Sequence, residues 1–188
     1  MTANQNQDIV TRRLVLGAGG LVLSGIANIA LEVLAKPKPQ NQEIWTAKRV
    51  LSGQTLEAVP EGSTKRSRIR LIGISAPALD QDPWGLVARD ALEEMLGADP
   101  FILERDVEEK DDSERLLGYL WTDDKMVNVA LVQNGYVLAA VKPPNDRYRD
   151  LLENAQAQAR LLGLGIWNPQ NPMRLTPAEH FRRKQQGG

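Results

Sequence analysis

Apolar and polar positions alternate with a period of two in some stretches of the chain and of about 3.6 in others. EIWTAKRVLSGQTLEAV, residues 43–59, reads as two strands broken at Ser52-Gly53, a tight-turn signal. SRIRLIGI, residues 67–74, alternates as a third strand that ends before Pro77. From Trp84 the period changes: Leu86, Ala91, Leu92 and Met95 fall at helical spacing, with Gly97 as the C-cap. FILERDV, residues 101–107, is a fourth strand, and RLLGYLWTDDKMV, residues 115–127, is a hairpin-like fifth element turning at Asp123-Asp124. VNVALVQNG predicts a short helix closed by Asn134-Gly135. DRYRDLLENAQAQARLLGLG predicts a long amphipathic one, with Asp146 as N-cap and Gly163 or Gly165 at its end. Three strands, a helix, two strands and two helices fit an α+β domain, a five-stranded Greek-key OB barrel with three helices over residues 43–170. Residues 171–188, Pro-punctuated and then basic, read as a flexible basic tail.

Upstream the pattern is different. Residues 14–34, LVLGAGGLVLSGIANIALEVL, carry one charge, Glu32, and at about 1.5 Å per residue just span a bilayer core of about 30 Å. Thr11-Arg12-Arg13-Leu14-Val15-Leu16 before them resembles a twin-arginine export signal, and Ala35 offers a small residue for cleavage. Residues 14–35 are therefore expected to be a transmembrane anchor or a signal of that type; a buried core helix is the alternative. Residues 1–13 would be a cytoplasmic N-terminus, and KPKPQNQ, residues 36–42, a linker. The domain would then be membrane-anchored on the non-cytoplasmic side, or exported. The GAGG at 17–20 is not a dinucleotide fingerprint, because no strand precedes it.

Composition is that of a globular protein, with 42% hydrophobic and 25% charged residues. The absence of Cys excludes disulfides and thiolate metal sites. A single His180, in the tail, excludes multi-histidine metal centres, argues against a Ser-His-Asp triad and reads as a solvated residue. The net charge of −1 conceals an uneven distribution: residues 41–170 hold 21 Asp/Glu against 15 Lys/Arg, about −6, with basic residues displaced to both ends. That balance disfavours nucleic acid, which is bound through Lys and Arg that displace counterions.

The succession SGQT, RIRLIGISAP, WG before a helix, ERLLGYLW, KMVNVALVQNGYV and GLGIWNP, over roughly residues 43–169, resembles the staphylococcal nuclease (thermonuclease) family. The resemblance implies an OB barrel and metal-assisted phosphodiester hydrolysis, in which carboxylates hold calcium, a glutamate activates water and two arginines stabilise charge on phosphorus oxygens. By that correspondence Gln54 stands where the family has a metal-binding Asp, Ser75 where it has the second, and Ala78 where it has the base. Arg70 and Arg115 stand where it has its arginines, so the anion-binding cations are kept and the acids are gone. Gln54 and Ser75 offer a hard cation no charge, so no cofactor is expected, and calcium only if the chain is active.

Three other acids near the site come into question. Asp80 and Asp82 follow Ala78 in the loop, and Glu57 follows Thr55 but should face away, since strand side chains alternate. All three read as solvated, and Arg70 and Arg115 could equally be held in salt bridges. ERDVEEKDDSER, residues 104–115, adds an acidic strip that repels a phosphate backbone. The expectation is a membrane-tethered, catalytically inactive nuclease-like domain that binds a protein partner, within a membrane complex. Alternatives are an exported calcium-dependent nuclease using Asp80 or Asp82, and a non-catalytic nucleic-acid-binding module.

Overall fold

A computed structural model describes Pro39 and residues 43–123 and 125–187. The apolar segment 14–34 and nearly all of the linker lie outside the described residues, and no described helix is long and apolar enough to cross a membrane.

Five strands close a barrel: β1 (Glu43–Ser52), β2 (Thr55–Pro60), β3 (Ser67–Leu71), β5 (Phe101–Glu104) and β6 (Leu116–Thr122). They pair in the order β3-β2-β1-β5-β6, and a parallel contact of β3 with β6 joins the ends, so no edge is left open there. Short pieces complete the sheet structure: β4 (Ile74–Ser75) pairs with β8 (Leu138–Ala139), and β7 (Lys125–Met126) forms the expected hairpin with β6. Trp45, Leu56, Ile69, Phe101, Leu103 and Leu120 fill the interior, as the alternation of each strand requires.

Helix α1 (Trp84–Leu96) lays Gly85, Ala88, Ala91, Leu92 and Leu96 on the barrel and ends at Gly97, as expected. Leu86, expected inward, is 43% exposed; the buried stripe starts at Gly85 and continues through Ala88 instead. Small residues on that stripe permit close approach: a Cβ at Gly53, in the β1–β2 turn, would stand 2.6 Å from the Cβ of Ala88. Helix α2 (Val127–Gln133) buries Asn128, whose side chain accepts from Leu120 N–H at 2.9 Å and donates to the Ile72 carbonyl at 2.9 Å.

Helix α3 (Arg149–Leu162) begins after Tyr148 rather than at Asp146. The Asp146 carboxylate takes the Arg149 guanidinium, 3.2 Å away, and so does not cap the helix N–H groups. Gly163, in the left-handed region at φ 63°, ends the helix, and a 3-10 turn follows at Gly165–Trp167. The described residues hold a fourth helix, α4 (Pro177–Gln186), where the sequence reading left a flexible tail. Thr176 and Glu179 form a reciprocal capping box with Pro177 in the first turn, a start signal present in the sequence as TPAE.

One buried charge ties barrel to helices. The Glu104 carboxylate, with no exposed surface, accepts from Trp121 Nε1 at 2.8 Å, from Arg147 at 2.8 Å and from the Tyr148 hydroxyl at 3.1 Å. Burial, then the charge of Glu104, push the Tyr148 phenol up to about 12. Replacing Glu104 leaves Trp121 Nε1 without its acceptor and takes from Arg147 one of its two carboxylate partners, the other being Asp106. Glu104→Ala is expected to lower unfolding stability by about 3 kcal/mol, read from the urea midpoint.

Candidate functional site

Where β3 leaves the barrel, a cavity of about 390 Å³ opens between the β3–β4 strand, the loop after β5 and the segment leading to α3. Its polar wall includes Arg70, Ser75, Glu108, Asp111, Lys142 and Asn145, and Ala178 of α4 stands at its edge. Arg70 is held from both sides, paired with Thr55 on β2 and with Leu117 on β6, so its backbone cannot shift independently of the barrel. Gly73, at φ 74°, turns the chain immediately afterwards, and its carbonyl accepts from Ala140 N–H at 2.8 Å.

Arg70 lies partly buried at this cavity, and its guanidinium makes no hydrogen bond or ion pair among the described residues. Burial first, and then the like charge of Arg115, lower its pKa from the ordinary value, with Asp111 offsetting part of the effect. Asp111 shares the cavity wall but forms no ion pair with Arg70, so the guanidinium donors are left open to a small anion. Arg115 is placed differently. Its guanidinium grips Asp111, with Nε at 2.8 Å and a terminal nitrogen at 2.6 Å, and it is not on the cavity wall. Of the two arginines expected at the site, one therefore faces the cavity and the other is paired.

Asp111 is the organising acid of the loop between β5 and β6. Besides Arg115 it accepts from Ser113 N–H at 3.0 Å and Arg115 N–H at 3.1 Å. Burial alone would raise its pKa, but the Arg115 side chain and these two N–H groups outweigh burial and hold the carboxyl below its usual range. The neighbouring acids are also partnered: Glu109 meets Arg105, Glu114 meets Lys110, and Asp106 meets Arg147 and Tyr119. The acidic strip expected from the sequence is thus largely ion-paired, and its first member, Glu104, is in the interior.

The positions without acids have acquired structural roles. Gln54 Oε1 accepts from Ala76 N–H at 2.8 Å, and the Gln54 carbonyl accepts from Leu71 N–H at 2.9 Å, so this residue bolts the β1–β2 turn to the chain leaving β3. Ser75 is on the cavity wall, and Ala78 is exposed in the loop beyond it. That loop is pressed on α1: a Cβ at Gly85 would come within 1.9 Å of the Ala78 carbonyl oxygen. The donor set does not fit a hard dication. Gln54 Oε1 is already committed, Ser75 is neutral, and no group of three or more acids or histidines able to hold a metal occurs among the described residues.

The other candidate acids are elsewhere. Asp80 is held by Lys184 and, at 3.2 Å, by His180, and these two, Lys184 foremost, lower its pKa. His180, read from the sequence as solvated, is therefore docked, with 21% of its side chain exposed. Asp82 lines a second, smaller cavity of about 260 Å³ with Trp84 and Arg174, and Glu57 faces Arg66 and Arg68 on the outside of the barrel. The sequence reading missed Lys142, Asn145 and Asp111. Asn145 is buried and exchanges two hydrogen bonds with the Glu108 backbone, at 2.8 and 2.9 Å, which closes the far wall of the cavity. Its only sequence signal was the turn chemistry of Pro143-Pro144-Asn145.

Residues 68–169 match the sequence model of the family described as staphylococcal nuclease homologue. The thermonuclease of Staphylococcus intermedius is 37% identical over 130 residues, 66% of this chain and 76% of that protein. That of Staphylococcus hyicus is 28% identical over 161 residues, 79% of this chain and 94% of that protein. The endonuclease YhcR of Bacillus subtilis (strain 168) is 31% identical over 169 residues, 81% of this chain and 14% of that protein.

Two outcomes are expected from this geometry. Gln54→Ala strands the Ala76 N–H and lowers stability by about 1–2 kcal/mol in chemical denaturation, whereas Gln54→Glu keeps the acceptor and costs less. Because the Asp111 carboxyl is lowered in the fold, its contribution is complete above the unfolded value of about 3.9 and disappears as pH falls through the folded one. The stability gap between the parent chain and Asp111→Asn should therefore be flat down to about pH 5 and narrow in stronger acid.

Proposed function

The chain belongs to the staphylococcal nuclease homologue family, and we propose that its domain uses the nuclease barrel for binding and not for hydrolysis. It is a membrane-tethered OB domain that joins a protein partner within a membrane-associated complex, and it keeps a small anion pocket at Arg70. The observation that carries this reading is the Gln54 side chain, spent on Ala76 N–H at the position where the family's chemistry needs a charged metal ligand.

The arithmetic of catalysis supports it. A missing general base costs about 10²–10⁴ in rate, and a missing metal several kcal/mol more of charge stabilisation. Together these make on the order of 5–9 kcal/mol, or about four to six powers of ten. Asp80 does not restore the balance, because Lys184 and His180 already hold it. The tether is the apolar segment 14–34 with its Arg12-Arg13 flank. Leu161 and Leu162, 86% and 68% exposed at the end of α3, provide the apolar edge that a partner would cover.

Incubation of the full chain with single-stranded DNA, with and without calcium, tests the loss of hydrolysis. No cleavage above the calcium-free background is expected. Calcium-dependent cleavage that disappears in Asp80→Asn would instead establish an exported nuclease with rearranged acids. Alkaline extraction tests the tether: the full chain should stay with the membrane fraction, and a chain lacking residues 1–37 should be released.

A further inference from the structure

We infer that α4 is a latch across the mouth of the Arg70 cavity, so that the pocket admits a small phosphate-class anion but not a continuous nucleic-acid strand. The inference rests on the reading of that cavity as an anion site.

Three contacts place the latch. Lys184 and His180 hold Asp80, in the loop that follows the cavity-lining Ser75. Gln81, next in that loop and buried, donates its amide N–H to the Leu175 carbonyl at 2.5 Å, just before α4. Ala178, in the first turn of α4, stands on the rim of the cavity that contains Arg70. The helix thus meets the Arg70 cavity at Ala178 and is held on the loop after Ser75, where Gln81 and His180 also line the second cavity.

The manner of attachment points to a device that opens. No residue of α4 is buried, and Phe181 is 61% exposed, so the helix is not part of the hydrophobic core. Its own capping box keeps it helical, while polar contacts to one exposed aspartate and one glutamine dock it. The family-model match ends at residue 169, before α4 begins.

Lys184→Ala distinguishes a latch from simple electrostatics, because the two predict opposite signs. Removing a cation near the site should weaken every anion if α4 contributes only charge. If α4 is a latch, Lys184→Ala should bind a 5′-phosphorylated single-stranded oligonucleotide about five-fold more tightly than the parent, and pyrophosphate within about two-fold, since a docked steric block acts on the larger ligand alone. Calorimetry on the full chain reads both, with Arg70→Ala as the control that abolishes pyrophosphate binding. Trypsin should also cut after Arg174 faster in Lys184→Ala, by exposure of the released segment.

Weaker oligonucleotide binding with unchanged proteolysis overturns the latch while leaving the anion site standing. Absence of pyrophosphate binding in the parent, Lys184→Ala and Arg70→Ala alike overturns the anion site, and the latch with it.

Discussion

Removing a carboxylate entirely from water is tolerable only if each of its oxygens is satisfied, and Glu104 meets that condition with an indole, a guanidinium and a phenol from two separate parts of the chain. Trp121 comes from β6, and Arg147 and Tyr148 from the segment entering α3, so the one charge fastens the sheet to the helices. Tyr148 then stacks edgewise on Tyr119, 4.8 Å between ring centres, and on Trp121, at 5.9 Å. The strand positioned in this way, β6, is also the strand that closes the barrel on β3. Its Leu117 lies beside Arg70. The network thus anchors the strand against which the Arg70 backbone is paired.

The pocket shows how polar groups are distributed where the family likeness would place carboxylates. At 54, 75 and 78 the chain has an amide, a hydroxyl and a methyl group instead. The amide has the structural role, joining a turn to the end of a strand. Arg115, whose counterpart would face the ligand, is instead compensated by Asp111, and that pair orders the β5–β6 loop. Arg70, on the cavity wall, has its pKa depressed by burial and by a like charge, with Asp111 offsetting part of the effect. The binding role proposed for the domain uses that residue and the apolar edge at Leu161-Leu162, which are on separate elements.

Much of this was legible in the sequence. Strands with alternating sides, the turn at Ser52-Gly53 and the helix stops at Gly97 and Gly163 announce themselves through local chemistry. Leu86 was misplaced because helical spacing gives a stripe without its phase, and the close approach at Gly53 selects Ala88 for contact. Asp146 looked like a cap, yet a guanidinium three residues on competed for its oxygens. The α4 helix buries no residue and so carries no apolar stripe; its sequence signal is confined to Thr176 and Glu179, among prolines and charges. The partner of a charge is hardest to read: the burial of Glu104 has no local signature, since Trp121, Arg147 and Tyr148 reach it only once the fold is closed.

The hydrogen bond from Ala76 to Gln54 also bears on what this chain could become. An aspartate at 54 is one methylene shorter, so its carboxylate would release Ala76 N–H; the turn cannot follow, because Gly53 is already wedged against Ala88. With Ser75 and Ala78 unchanged, such a substitution surrenders stability and gains no hydrolysis. The step at 54 thus leads downhill by itself, and an amide that stabilises the fold acts as an evolutionary ratchet at that position.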